Sequence, residues 1–244
     1  MQVQEIYRLL DEISPFSLQE KWDNSGLNLG NPFQEFQEIY TTLEVDMLLA
    51  QTIKPNSLII AHHPLIFTPI KTLDAQTYPS NIASILLAKN CSLIAMHTNF
   101  DRTHLNRFFA SQILGFKNLI EKDLIISARL APQSFETLLT RLKISLNASL
   151  FKALKASEKI SQVFVVCGSG MFALKQIPPH SQSCLITGDI KHHDAMEAQS
   201  LGISLVDVGH FASEVFFSQI MGKILQNLGY EAIINDLENP LRFY

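Results

Sequence analysis

A chain of 244 residues, 47% hydrophobic and 17% charged, carries enough apolar material for one large domain or two small ones, which argues against global disorder. The formal net charge of −4 gives no basis for general nucleic-acid affinity and leaves only a local basic patch as a route to it. Its apolar runs fall far short of the roughly 20 residues of a membrane helix, and Met1 to Glu5 lacks a basic stretch leading into an apolar one, so no signal peptide, no membrane and a cytoplasmic location are expected.

Val3, Ile6, Tyr7, Leu10 and Ile13 repeat at helical spacing up to Ser14-Pro15. Ser17 with Glu20 resembles a capping box. Turn residues at both ends of 22–30 bracket a short strand, and 39–45 reads as a strand followed by a helical piece from Asp46. A buried strand over 57–61, a helix over 81–89, a strand over 92–96 and a helix over 104–114 continue the alternation. Beyond it come a strand at 123–126 and a helix over 132–146. Strands at 163–166, 184–186 and 203–208 follow, with helices over 192–201 and 211–228 and a last strand at 232–234. This β–α–β logic predicts an α/β fold with partly parallel sheets. The two halves share a layout: strand–HHP, helix, strand–HTNFD, then strand–GD, helix, strand–GHFASE. A duplication of one plan is expected, with its seam near 121–132. The scattered Cys91, Cys167 and Cys184 form no CxxC pair and read as buried free thiols of a reducing compartment.

Chemistry-bearing residues collect where apolar strands end. Leu58 to Ala61 runs into His62-His63-Pro64, and Leu93 to Met96 into His97-Thr98-Asn99-Phe100-Asp101. Leu205 to Gly209 runs into His210, with Glu214 four residues on. Strand ends of α/β sheets are where side chains converge on ligands, and His, Asp and Glu are the donors that hold divalent metals. Adjacent imidazoles make a poor bite on a single ion, so His62 and His63 suit two. His210 and Glu214, at i and i+4, share one helix face. If Glu214 bridges, His62, His63, Asp101, His210 and Glu214 supply three bonds per ion and leave positions open for water or substrate. Taken singly, each feature has a plainer reading: a satisfied polar residue at a strand end, or a surface His–Glu pair. The convergence of three such ends carries the metal reading. Asp207, inside its strand, competes as a carboxylate or accepts local hydrogen bonds.

Other polar residues stay open between two readings. His97 is either a proton donor or partner to the ligands, or a structural histidine. His104 shares that ambiguity, and His192-His193 either faces substrate or caps a helix. His180 reads as a loop residue. Gly168-Ser169-Gly170 is either a phosphate cradle or a tight turn. Trp22-Asp23-Asn24-Ser25-Gly26 either lines a cleft or is an anchoring aromatic with an Asx-type turn.

Together, WDNSGL at 22–27, AHHPLIF at 61–67, HTNFD at 97–101, GSG at 168–170, TGD at 187–189 with His192-His193, and GHFASE at 209–214 resemble the Nif-three-like family, or type 2 GTP cyclohydrolase I homologues, in its short form without an inserted domain. The resemblance spans nearly the whole chain. It implies two intertwined, similar α/β units with mixed sheets and a metal site between them. The first would cover 1–126, completed by about 211–244, and the second 127–210. It also implies a dinuclear centre on His62, His63, Asp101, His210 and Glu214, and a ring-shaped homohexamer. One departure is that Asp101 to Asn106 lacks the Gly-containing segment usual after HTNxD.

The expected activity is hydrolysis by a metal-bound hydroxide, with His97 as a hypothetical proton shuttle and a small-molecule substrate such as a nucleotide. The family label suggests opening of a purine ring, and a phosphoester would suit the same centre. The alternative is a metal-binding, metal-delivery or scaffold protein with little turnover. Zn, Fe, Mn, Ni and Co all suit such N/O donors.

Overall fold

The computed structural model describes residues 1–242, which form two compact units: 1–100 with the segment from Val215 onward, and 101–214.

In the first unit, β1 (Gly26–Leu29), β2 (Glu38–Thr42), β3 (Ser57–Ala61), β4 (Ser92–Ala95) and the C-terminal strand Ile233–Asn235 make one mixed sheet. β2, β3 and β4 are parallel, β1 runs antiparallel on β4, and the C-terminal strand runs parallel on β2. β3 is central, and all five of its residues are buried. A parallel strand covered on both faces needs such an unbroken apolar run rather than alternation. The helix Val3–Ile13 buries Val3, Ile6 and Leu10, as its spacing predicts. Asp46 caps the helix Met47–Thr52, its Oδ1 accepting the Leu49 N–H at 2.7 Å. The helix Ser80–Ala88 packs Ile82, Ala83 and Leu86 into the apolar layer that holds Ile59 and Leu93. Each such buried Leu or Ile contributes roughly 1.5–3 kcal/mol. No capping box forms at Ser17: Phe16–Leu18 is a single tight turn, and the Glu20 N–H donates instead to the Thr98 hydroxyl at 2.9 Å.

In the second unit, β5 (Ile120–Lys122), β6 (Ile125–Ser134), β7 (Lys152–Leu154), β8 (Lys159–Val165), β9 (Ser183–Thr187) and β10 (Ser204–Asp207) make a second mixed sheet in the order β5-β6-β8-β9-β10-β7. β8, β9 and β10 are parallel, and the other three strands are antiparallel to their neighbours. Both units therefore carry three parallel strands that follow one another in the chain, and in the first unit the C-terminal strand adds a fourth beside β2. β6 is longer than its sequence pattern predicts. It runs through Pro132, where the pairing with β8 shifts register between Arg129 and Gln133, because proline has no N–H to give a regular ladder. Ser134 then caps the helix Phe135–Leu146. β7 has three residues, too few for a period to show.

The passages between units differ from the sequence reading. The chain leaves the first unit at Phe100–Asp101 rather than near 126, because β5 and β6 hydrogen-bond to one another and to β8. It returns at Glu214–Val215, within the stretch read as one helix, which is divided into His210–Glu214 and Phe217–Asn227. Helical turns begin at Thr98 rather than 104 and include wide π-type turns at Asp101–Leu105 and Phe109–Ile113. Among the described residues no helix is long and apolar enough to cross a membrane. All three cysteines are buried free thiols.

Candidate metal centre

In the first unit the donors follow the C-terminal ends of β3 and β4. The backbone of His62 and His63 is tied to the turn after β2: the His62 N–H donates to the Thr42 and Leu43 carbonyls, both at 3.1 Å, and the His63 N–H to Leu43 at 2.9 Å. The two rings lie 5.1 Å apart between centroids. His62 is fully buried, and its Nδ1 donates to the Met96 carbonyl at 2.8 Å. A carbonyl can only accept, so the neutral ring carries its lone pair on Nε2. His63 Nδ1 stands 3.5 Å from Glu44 Oε2. His97 lies 5.1 Å from His62 and 5.7 Å from His63 between ring centroids. The three imidazoles each offer a nitrogen within 4.8 Å of the others.

His97 Nδ1 is 2.7 Å from Oδ1 of Asp23, whose side chain is fully buried. Asp23 also accepts from the Ser25 hydroxyl at 3.0 Å, the Asn24 N–H at 2.7 Å, and the N–H and hydroxyl of Thr98. Burial pushes the Asp23 carboxyl up. The hydrogen bond and charge of His97, with the Thr98 bonds, outweigh it and hold the carboxyl well below the usual range. The turn reading of the sequence thus understates Asp23, which fixes the His97 ring.

In the second unit His210 opens and Glu214 closes the short helical segment after β10, with His210 Nε2 at 2.9 Å from Glu214 Oε2. The other nitrogen, Nδ1, is 2.6 Å from Asp189 Oδ2. Carboxylates thus face both ring nitrogens of His210, an arrangement that could hold a metal ion. Asp101 is buried, and one of its oxygens lies within 4.8 Å of a Glu214 oxygen. Burial first, and then the charges of Asp101 and Glu214, push the Cys167 thiol well up.

The glycine motifs serve this packing. A Cβ on Gly168 would lie 2.2 Å from Glu214 Oε1, and one on Gly188 would lie 2.6 Å from the His210 backbone nitrogen. GSG and TGD let the donors approach the backbone, which neither the phosphate-cradle nor the simple-turn reading captures.

The remaining candidates sit elsewhere. Asp207 accepts from the Ile190 and Gly209 N–H groups, both at 3.1 Å, and pairs with Lys152 at 2.8 Å. His104 bonds Thr103 at 2.7 Å, and burial lowers its pKa; it belongs to no donor group among the described residues. His192 and His193 open a helix, their rings 5.5 Å apart. His180 packs its ring against Gly202 and donates its N–H to Leu201. Asp189 orients the His210 ring, a role that the sequence marks only by a lone acid after Gly188; its backbone is left-handed, with φ 55°.

The family model described as Duf34/NIF3 (NGG1p interacting factor 3) matches residues 1–240. A Helicobacter pylori (strain J99) protein named GTP cyclohydrolase 1 type 2 is 48% identical over 240 residues, 98% of each chain. A Campylobacter jejuni protein named GTP cyclohydrolase 1 type 2 homolog is 40% identical over 245 residues, 100% of each chain. Among solved structures, Staphylococcus aureus protein SA1388 superposes with a TM-score of 0.87 at 24% identity, covering 100% of this chain and 99% of that one. Reduced HcgD from Methanocaldococcus jannaschii gives 0.80 at 23%, covering 97% and 98%. At these identities the structural likeness speaks for the fold.

Proposed function

This chain belongs to the Duf34/NIF3 family, and we propose that it is a metal-dependent hydrolase in which His62, His63, Asp101, His210 and Glu214 hold two divalent cations. One observation carries the reading. Each imidazole of the three donor groups has Nδ1 turned toward an oxygen: His62 to Met96, His97 to Asp23 and His210 to Asp189 at hydrogen-bond distance, and His63 to Glu44 at 3.5 Å. Metal-ligating histidines are oriented in this way, which supports a role for these rings in which Nε2 would face a cation. The donor set fits Zn, Fe, Mn, Ni or Co. The bound cations would acidify water and stabilise negative charge developing on the substrate.

The chain's own residues supply the rest. Asp23 fixes the ring and tautomer of His97, so His97 holds or passes a proton at Nε2. Gly168 and Gly188 leave the room that Glu214 and His210 occupy beside the backbone. The names of the relatives support a purine nucleotide such as GTP as substrate, with ring opening or a related nucleotide or phosphoester hydrolysis as the reaction. A homohexamer is part of the proposal.

The test loads purified protein with Mn, Zn or Fe and assays a panel of nucleotides and phosphoesters against Glu214→Ala. Metal-dependent turnover lost in the variant is the expected result. Tight metal binding with no turnover of any substrate would replace the hydrolase with a metal-holding or delivery protein.

A further inference from the structure

Beside the histidines of the first unit stand two large aromatic side chains that the core does not take up. Trp22 is 58% exposed and Phe67 47% exposed. Their ring centroids lie 5.9 Å apart at 60°, and each meets the His97 ring nearly edge-on, at 6.2 Å and 78° for Trp22 and 6.0 Å and 88° for Phe67. Neither ring hangs on a loose loop. Trp22 precedes the buried Asp23, with its five recorded hydrogen-bonding groups. Phe67 follows Ile66, whose carbonyl accepts from Asn24 Nδ2 at 2.5 Å and whose N–H reaches Asn28 Oδ1 at 3.5 Å. The backbone thus holds two apolar faces open to solvent and next to the donor cluster, without packing them. It is their adjacency to one another and to the donor cluster, rather than their exposure alone, that makes them available to a ligand.

We propose that Trp22 and Phe67 form a stacking platform for a planar heteroaromatic ring, a purine base, seated beside His97. The proposal rests on the hydrolase reading for its choice of substrate and adds the residues that recognise it. Three arguments select this occupant. Two half-exposed rings offer the contact area of one bicyclic heterocycle, far less than the roughly 800 Å² per partner of a stable protein interface. Indole and phenyl faces stack on any base through its π-surface without needing hydrogen bonds from the platform. The platform also abuts His97, so a base held there lies next to the side chain that handles protons and within one ring's reach of His62 and His63. Rigid aromatic anchors lose little entropy on binding, which suits a pre-formed site.

Trp22 is the single tryptophan of the chain and reports its own occupancy. The full-length protein is titrated with guanosine, GTP and ribose 5-phosphate while tryptophan emission is followed. Saturable quenching by guanosine and GTP, but not by ribose 5-phosphate, is expected. Phe67→Ala should weaken it roughly ten-fold or more, with an unchanged circular dichroism spectrum. No saturable quenching by either purine compound, an unchanged dissociation constant in Phe67→Ala, or an emission change that follows protein concentration instead of ligand would each overturn the platform. Its fate separates from that of the hydrolase. Phe67-dependent quenching in a protein that turns over no nucleotide keeps the platform and removes the hydrolase. Nucleotide turnover with KM unchanged in both Trp22→Leu and Phe67→Ala does the reverse.

Discussion

The Glu214 carboxylate lies so close over Gly168 that a methyl group there would come within 2.2 Å of Oε1. Gly168 also has φ +60°, where an L side chain is strained. Gly168→Ala must therefore displace the carboxylate, twist the backbone, or both. Its expected cost is about 1–2 kcal/mol of stability and a loss of bound metal of at least roughly ten-fold. Metal content after dialysis, measured by mass spectrometry beside a urea melt, checks both. Full metal occupancy in the variant would show that Glu214 is no ligand.

Asp189 holds His210 through Nδ1. Asn tolerates the left-handed conformation of this position, so Asp189→Asn should fold normally. Without the carboxylate the ring loses orientation and basicity, and metal affinity should drop about 10–100-fold. Isothermal titration of chelator-stripped protein with Zn or Mn reads the change. An unaltered affinity would assign Asp189 to the surface and remove it from the centre.

Metal that binds the folded chain stabilises it. At a free concentration 100 times its dissociation constant the gain is about 2.7 kcal/mol, or roughly 5–11 °C in Tm for a chain of this size. Chelator-treated protein should show this rise when Zn or Mn is added, and Glu214→Gln should show little of it. Differential scanning fluorimetry suffices, and an equal rise in both proteins would point to binding elsewhere.

The three thiols should resist reagents. Burial pushes Cys184 up from the ordinary 9.0, and burial likewise raises Cys91 and Cys167. The neutral thiol is favoured in the fold, whereas unfolded cysteine ionises near 9.0. The relative stability contributed by each thiol is therefore complete below that pH and is lost as pH rises through it toward the folded value. DTNB at pH 8 should find almost no reactive thiol in native protein and three after denaturation. Cys184→Ala should lose less Tm than the parent between pH 8 and pH 10.5. Rapid labelling of native Cys184 at pH 8 would contradict this burial.

Much of the fold was legible because its signals are local. The unbroken run Leu58 to Ala61 marked a strand buried on both faces, and Val3, Ile6 and Leu10 marked a helix by their period. The candidate donors were legible too, because strand ends are where a chain must stop burying apolar groups and can present polar ones. What escaped depended on partners remote in sequence. β7 is a strand only because β10 offers it an edge. Residues 120–126 join the second unit because β6 finds β8.

The chain by itself determined which residues could bind: histidines and carboxylates at the ends of apolar runs, set by composition and spacing. Only the tertiary structure decided how they are held. Asp23 reaches His97 across 74 positions and Asp189 reaches His210 across 21. Gly168 acquires its meaning only when Glu214 arrives beside it. Hydrogen-bond partners and close approaches of this kind are set when distant segments pack together, and no period in the sequence encodes them.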